Sequence, residues 1–193
     1  MSQMARSLVV AAPMVLVAAV GGARAQVPAE EAPLNLNAAD WSGIRSAYEA
    51  CRHAATPLKD GYLAHNPDQR WWVHFDGLGF AAEPETGGWW WGLELLRYGF
   101  TGHERVVVSP TAVCAAGQRL SYVWDATLEE WFVNDPHGLE HGYTVRRRPP
   151  REGPGPLTLR LAVRGTLRPL VGANGRDVGF LDAEARPCSP TPD

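Results

Sequence analysis

The stretch Trp131-Phe-Val-Asn-Asp-Pro-His-Gly-Leu-Glu-His-Gly-Tyr-Thr-Val145 constrains the fold more than any other part of the chain. Trp131, Phe132 and Val133 have the aromatic and β-branched character of a strand, and alternation puts Phe132 on the opposite face from its neighbours. Asn134-Asp135-Pro136 then interrupts the ladder, because Asn and Asp bond their own backbone and Pro removes a donor. Gly138 and Gly142 supply conformations that other residues resist. Tyr143 to Val145 resumes the strand pattern. The segment therefore predicts a strand, a tight turn and a second strand, which is a commitment to antiparallel pairing.

The same segment spells His137-Gly-Leu-Glu140-His141, a pattern that on a helix would place two imidazoles on zinc with a glutamate as base. Pro136, Gly138 and Gly142 argue against a helix, so no metal site is assigned. Glu140 and His141 either stabilise the turn or line a shallow polar site.

The rest of the chain reads as mainly β, an antiparallel sandwich-like domain over residues 37–183 with one N-terminal helix. Asn37 caps that helix, and Asp40 sits in its first turn. Trp41, Ile44, Tyr48 and Cys51 form one apolar stripe at helical spacing, and Pro57 ends the pattern. Strands are expected over 70–75, 89–98, 105–108, 119–124, 130–133 and 143–147. The tail of the second of these, residues 93–97, could also pass for a helical turn. Pro149 to Pro156 reads as a linker or loop. Leu157 to Val163 alternates cleanly, and two short strands follow around an Ala173-Asn-Gly175 turn. Residues 26–36 and the Pro-rich tail 184–193 carry the composition of disordered segments.

Residues 1–25 read as an export signal: Arg6, an apolar run from Ser7 to Gly22, and Ala23-Arg24-Ala25 as a cleavage site. The run is short, interrupted by Pro13, and rich in Ala and Gly, which disfavours a membrane span. The expected location is extracellular, periplasmic or cell-surface. Cleavage removes two of the 18 basic residues and no acidic one, and takes the formal charge from −3 to about −5. A negative chain excludes nucleic acid and anionic membrane surfaces as expected partners. The partner classes left are a glycan or another envelope protein. Cys51, Cys114 and Cys188 allow one disulfide, and Cys51–Cys114 is the expected pair because both lie in ordered segments.

No motif implies a cofactor. Ser109 and Ser121 have no nucleophile-elbow context, and the many carboxylates define no catalytic pair. The Trp71-Trp72 and Trp89-Trp90-Trp91 clusters are the main binding signal, since adjacent strand residues point to opposite faces. The candidate ligand contacts are Trp89, Trp91, Asn134, Asp135, Glu140 and His141, with Asp76, Glu94, Asp125 and Glu129 as further carboxylates. Exposed Trp would indicate a binding module. Convergence of Asp135, Glu140 and His141 would indicate an enzyme. Full burial of every Trp would indicate a structural domain.

Gly61-Tyr-Leu-Ala-His-Asn-Pro67, Phe75-Asp-Gly-Leu-Gly-Phe80, Trp91-Gly-Leu-Glu-Leu95, the Trp131–Val145 stretch and Leu161-Ala-Val-Arg-Gly165 together resemble the N-terminal region of large secreted bacterial proteins with FG-GAP (integrin-like) repeats. The similarity runs over roughly residues 38–182. It implies a shortened, non-catalytic β module of an envelope or extracellular protein, whose last strands lack their usual neighbours. The repeats and their Asp-rich calcium loops are absent from this sequence. A carbohydrate-binding or carbohydrate-acting sandwich is the alternative.

Overall fold

The computed structural model describes residues 7–11, 16–17, 33, 35–150 and 155–184. The cleavage site at 23–25, most of the 26–36 segment, the tail beyond 184 and Cys188 lie outside the described residues.

In chain order the elements are β1 (Ser7–Ala11), β2 (Leu16–Val17), α1 (Ala38–Arg52), β3 (Thr56–Leu58), β4 (Gly61–Asn66), β5 (Trp71–Phe75), β6 (Gly79–Pro84), β7 (Trp91–Phe100), β8 (Arg105–Val106), β9 (Ala112–Ala116), β10 (Arg119–Val123), β11 (Leu128–Asp135), β12 (Gly138–Val145), β13 (Leu157–Gly165), β14 (Arg168–Val171) and β15 (Val178–Leu181). The larger sheet runs β1-β13-β7-β6-β5-β4-β3, with β8 also on β7. The smaller runs β2-β12-β11-β10-β9, and β14-β15 is a separate hairpin. All pairings are antiparallel. The fold is the expected mainly β, sandwich-like one.

One apolar core joins the two sheets. Trp71, Val73, Phe75, Phe80, Leu93, Leu95 and Leu161 come from the larger sheet, and Leu120, Tyr122, Leu128, Phe132 and Leu139 from the smaller. Phe132 sits at the centre, 5.0 Å from the Phe75 ring and 5.6 Å from Phe80, tilted or edge-on to both as aromatic quadrupoles prefer. Tyr122 pins the sheets together: its hydroxyl donates to the Gly79 carbonyl and accepts from the Gly77 amide.

The signature segment forms the expected hairpin, with a tighter turn. The ladder continues through Asn134↔Leu139 and Asp135↔Gly138, so only Pro136 and His137 lie in the loop. The Asp135 carboxylate closes the turn by accepting from the His137 amide at 2.7 Å. The ambiguous 93–97 stretch is a strand with a bulge. Leu161 pairs with Leu95 and Arg160 with Arg97, which leaves Leu96 without a partner on β13. The extra residue switches the inward set from Trp91, Leu93 and Leu95 to Tyr98 and Phe100.

Two strands fall where the sequence reads as an export signal. β1 pairs along β13 from Ser7↔Ala162 to Ala11↔Thr158, and β2 pairs with Glu140 and His141. No described helix is long and apolar enough to cross a membrane.

Helix α1 is capped as expected, with the Asn37 side chain accepting from the Asp40 amide at 2.9 Å. Its orientation is the surprise. It docks by its last turn, so its apolar stripe faces outward: Ile44 and Tyr48 are exposed, and no helix residue is buried. Cys51 shares that outward stripe, and Cys114 lies exposed on the edge strand β9. Both are free thiols, so the expected Cys51–Cys114 bridge is not formed.

Candidate functional site

Strand β5 sorts its residues by parity. Trp71, Val73 and Phe75 are buried, and Trp72 and His74 are exposed. A core strand that sends an indole into water needs a reason, because burying Trp72 instead would remove a large apolar area from solvent. Its surroundings on the outer face of the larger sheet are polar and ordered. His65 on β4 is its cross-strand partner and stacks on it, with ring centroids 4.1 Å apart and planes 22° from parallel. The His65 Nε2 lies 2.5 Å from Glu85 Oε1, and Arg70 Nε lies 3.9 Å from the other oxygen of Glu85. Glu83 on β6 is the partner of Trp72 on its other side, and His74 Nε2 lies 3.6 Å from the Glu83 carboxylate.

The imidazole occupies the β4 side of the indole, so the face left to a ligand is the one toward β6 and Glu83. Ala81 and Gly92, also on the outer face, keep the floor beyond it low. Trp90 stands one residue past the last β6–β7 pair, Ala82↔Trp91, in the row of Trp72 and Glu83. It is exposed, and its backbone is tied to Thr166 by three hydrogen bonds. Two strand spacings separate the Trp72 and Trp90 positions, about 10 Å. Arg70, at the rim, has φ 56° and is the one non-glycine among the described residues with positive φ. Such strained backbone clusters at ligand-contacting positions.

The residues singled out in the sequence are placed differently. Trp91 is buried and stacks on Phe180 at 4.3 Å, fastening the β14–β15 hairpin to the core. Trp89 is half-buried and packs against the same core. Asn134 is buried at a junction: its amide nitrogen donates to the carbonyls of His53 and His65, and its Oδ1 accepts from Asn66 at 2.8 Å. It joins the end of α1, strand β4 and strand β11. Trp91 and Asn134 are thus buried in structural duties, and Trp89 is partly accessible at the edge of the core.

Asp135, Glu140 and His141 do not converge. Asp135 closes the hairpin turn, and Glu140 and His141 are neighbours on β12 that point to opposite faces. His141 lies inside, stacked on Phe132 at 4.7 Å. Its Nε2 is 2.7 Å from Glu130 Oε1, which also accepts from the Tyr143 hydroxyl at 2.8 Å, while Glu130 Oε2 accepts from Trp124 Nε1 at 2.9 Å. Burial comes first, and the Glu130 carboxylate second, in pushing the Tyr143 phenol well above its ordinary range. Three donors thus converge on one buried carboxylate, which is how a protein keeps such a group inside. His137 stays in the turn with an 80 % exposed side chain, so the two imidazoles of the zinc-like pattern occupy opposite environments.

Among the described residues, one cluster has metal-ligand chemistry: Glu49, His53 and Asp68. Its donors are already engaged. His53 Nδ1 faces the Glu49 carbonyl at 2.8 Å and Nε2 faces Asp68 at 2.9 Å, while Arg52 lies 3.1 Å from Glu49 and 4.0 Å from Asp68. The guanidinium supplies the positive charge that a cation would bring. The cluster moors α1 to the β4–β5 turn.

The sequence signal for Trp72 was its place between buried Trp71 and Val73. The signal for Glu130 was its parity with Leu128, Phe132 and Asn134, all of them inward. No protein-family model, curated protein or solved structure matches this chain.

Proposed function

We propose that this chain is an exported, non-catalytic β module that binds a saccharide on the outer face of its larger sheet, with Trp72 as the platform. The observation that carries the reading is Trp72 itself, an exposed indole braced by His65 and bordered by Glu83, Glu85 and Arg70. A sugar ring offers an apolar C–H face to an indole and hydroxyls to carboxylates and guanidinium at the rim, and this pairing of one flat apolar surface with a few placed polar groups suits it. Trp90, about 10 Å away in the same row, is too distant to clamp the same ring and well placed to underlie another unit of an extended chain. The lack of convergence among Asp135, Glu140 and His141 favours binding over hydrolysis.

The N-terminal signal pattern and the resemblance to secreted FG-GAP repeat proteins support an extracellular or envelope setting. Cleavage after Ala25 would remove β1 and β2 and uncover β13 and β12 as sheet edges. Mass spectrometry of the exported form should find Gln26 at its N-terminus, and an intact Met1 would refute the export reading.

Binding is tested by titrating the purified chain with soluble envelope and plant polysaccharides and following tryptophan fluorescence. The expected result is saturable binding that Trp72→Ala abolishes while the protein stays folded. Equal affinity in Trp72→Ala, or no binding across the panel, would overturn the site.

A further inference from the structure

Helix α1 meets the sandwich with its polar side. His53 and Arg52 reach Asp68, Arg52 also pairs with Glu49, and Asn134 donates to the His53 carbonyl. The neighbouring face, bordered by Arg52 whose guanidinium lies 5.4 Å over the Tyr48 ring, carries Trp41, Ile44, Tyr48 and Cys51, at successive spacings of three, four and three residues. That is the a-d-a-d spacing of a two-stranded coiled-coil seam. Ile44 is 49 % and Tyr48 60 % exposed, and the Cys51 thiol is free and exposed beside them.

We propose that this stripe docks a second copy of the same chain, the two α1 helices packing in parallel about a twofold axis with their Cys51 sulfurs joined.

The flanking charges select the orientation. With Trp41 and Tyr48 at a and Ile44 and Cys51 at d, Asp40 takes a g position, and Arg45 and Arg52 take e positions. In a parallel pair the g residue of one helix faces the e residue five positions on in the other. Asp40 therefore meets Arg45 of the second copy, and symmetry makes the contact twice. In an antiparallel pair e faces e, which sets arginine against arginine.

The covalent link fits the same geometry. Packed helices lie about 8–10 Å apart with Cα atoms on a radius of about 2.3 Å, so directly facing Cα atoms are about 3.4–5.4 Å apart, a range whose upper half a disulfide can span. Disulfides span roughly 4.4–6.8 Å between Cα atoms. Residues 38–52 supply only two heptads, a marginal seam by itself, and a bridge at the C-terminal end makes the pair permanent. Three cysteines also leave at least one with no partner in its own chain.

The link forms by exchange with a disulfide-bearing oxidant. One Cys51 thiolate attacks the oxidant and releases one of its thiols, and Cys51 of the second copy displaces the other. Two Cys51 S–H groups become one S–S bond as the oxidant's S–S becomes two S–H groups. In the organism this rests on export to an oxidising compartment. The geometry can be tested apart from that.

The full chain is purified reduced, then incubated with oxidised glutathione and followed by non-reducing electrophoresis and peptide mapping. The expected product is a dimer bridged Cys51 to Cys51, formed equally by Cys114→Ser and lost in Cys51→Ser. Ile44→Lys should slow its formation by roughly tenfold, the factor expected from one lost apolar contact. Arg45→Asp should slow it too, and Asp40→Arg together with Arg45→Asp should restore it. A monomer with Cys51 bridged to Cys114 or Cys188, a dimer bridged through another cysteine, or a dimer whose rate ignores Ile44→Lys would each overturn the proposal.

Discussion

Glu130 and His141 meet at 2.7 Å in the interior of the sandwich, with side chains 1 % and 3 % exposed. The pair separates the two histidines of the hairpin energetically. His137→Ala should change stability by no more than about 0.5 kcal/mol, because its side chain stands in solvent. His141→Ala removes a ring stacked on Phe132 and a partner of a buried carboxylate, and should cost about 2–5 kcal/mol. Glu130→Ala leaves the Trp124, His141 and Tyr143 donors unmatched and should cost about 3–5 kcal/mol. Urea unfolding followed by tryptophan fluorescence measures all three. Equal midpoints for the two histidine variants would contradict the buried pair.

Trp71 and Trp72 are adjacent in sequence and opposite in role. Trp71→Ala should destabilise by about 3–5 kcal/mol through cavity formation. Trp72→Ala should leave the unfolding midpoint nearly unchanged and abolish polysaccharide binding. Calorimetric unfolding and binding titrations on the same two proteins separate these outcomes.

Asn134 gives a test of hydrogen-bond direction. Its amide nitrogen donates to two carbonyls, from His53 and His65. Aspartate has the same shape and no donor. Asn134→Asp turns two attractions into contacts between oxygens and buries a charge, and should cost about 2–4 kcal/mol. Faster amide hydrogen exchange in α1 is expected alongside, since the junction holds the helix end. Unchanged exchange there would show that the His53–Asp68 contact moors the helix alone.

Stability should fall at both ends of the pH scale. Burial alone would raise the Asp76 carboxyl, but the Arg164 hydrogen bond and the Leu78 and Gly79 amides outweigh it and hold the group below its ordinary range. Asp125 is lowered against its own burial by Tyr98, the Thr127 and Leu128 amides and Arg105, and Glu129 likewise by Ser121, Arg146 and Arg119. Carboxyls depressed in the folded state contribute fully above their unfolded values near 4, and that contribution fades as pH falls through the folded values. On the other side, burial and then Asp125 push the Tyr98 phenol up to about 12. The unfolded chain loses that proton near pH 10, so stability declines as pH rises from about 10 to 12. Urea midpoints should be flat from about pH 5 to 9 and fall on either side. Asp76→Asn should make the acid limb shallower, with Asp125 and Glu129 still contributing, and Tyr98→Phe the alkaline one, to which the raised phenols of Tyr122 and Tyr143 also contribute.

Much of this fold was legible where residue type and backbone need agree. Asn37 announced the helix, Leu157–Val163 its alternation, and Trp131–Val145 a hairpin. Strands β6 and β9 were not legible. Gly79-Phe-Ala-Ala-Glu-Pro84 and Ala112-Val-Cys-Ala-Ala116 are rich in small residues of weak β propensity, and they are strands because their neighbours' ladders require partners. The bulge at Leu96 depends on β13, some sixty residues later in the chain, and local pattern cannot show it. The site follows the same division. Alternation indicated that one of Trp71 and Trp72 is outside, while the identity of the exposed residue depended on which face met the smaller sheet. The stripe on α1 was legible, and its direction was not, because the mooring residues Asp68 and Asn134 come from a turn and a strand distant in the chain.

Gly142 and Trp131 are cross-strand partners, and the indole lies over the glycine. A Cβ at Gly142 would stand 2.4 Å from Trp131 Cζ2. The glycine therefore makes room for a ring that also stacks under Arg119, 4.8 Å from its centroid, and donates to Thr144 Oγ1 at 3.2 Å. Gly142→Ala must push the half-buried ring aside and break both contacts, at a cost of about 1–3 kcal/mol. In the Trp131→Ala background the same change meets no ring. Alanine is the better strand residue there by about 0.5–1 kcal/mol, so the substitution should turn neutral or stabilising. A double-mutant cycle in urea should thus give a coupling between the two positions of at least about 1 kcal/mol. Additive effects would mean that the ring leaves Gly142 without loss, and that the glycine serves the backbone of β12 instead.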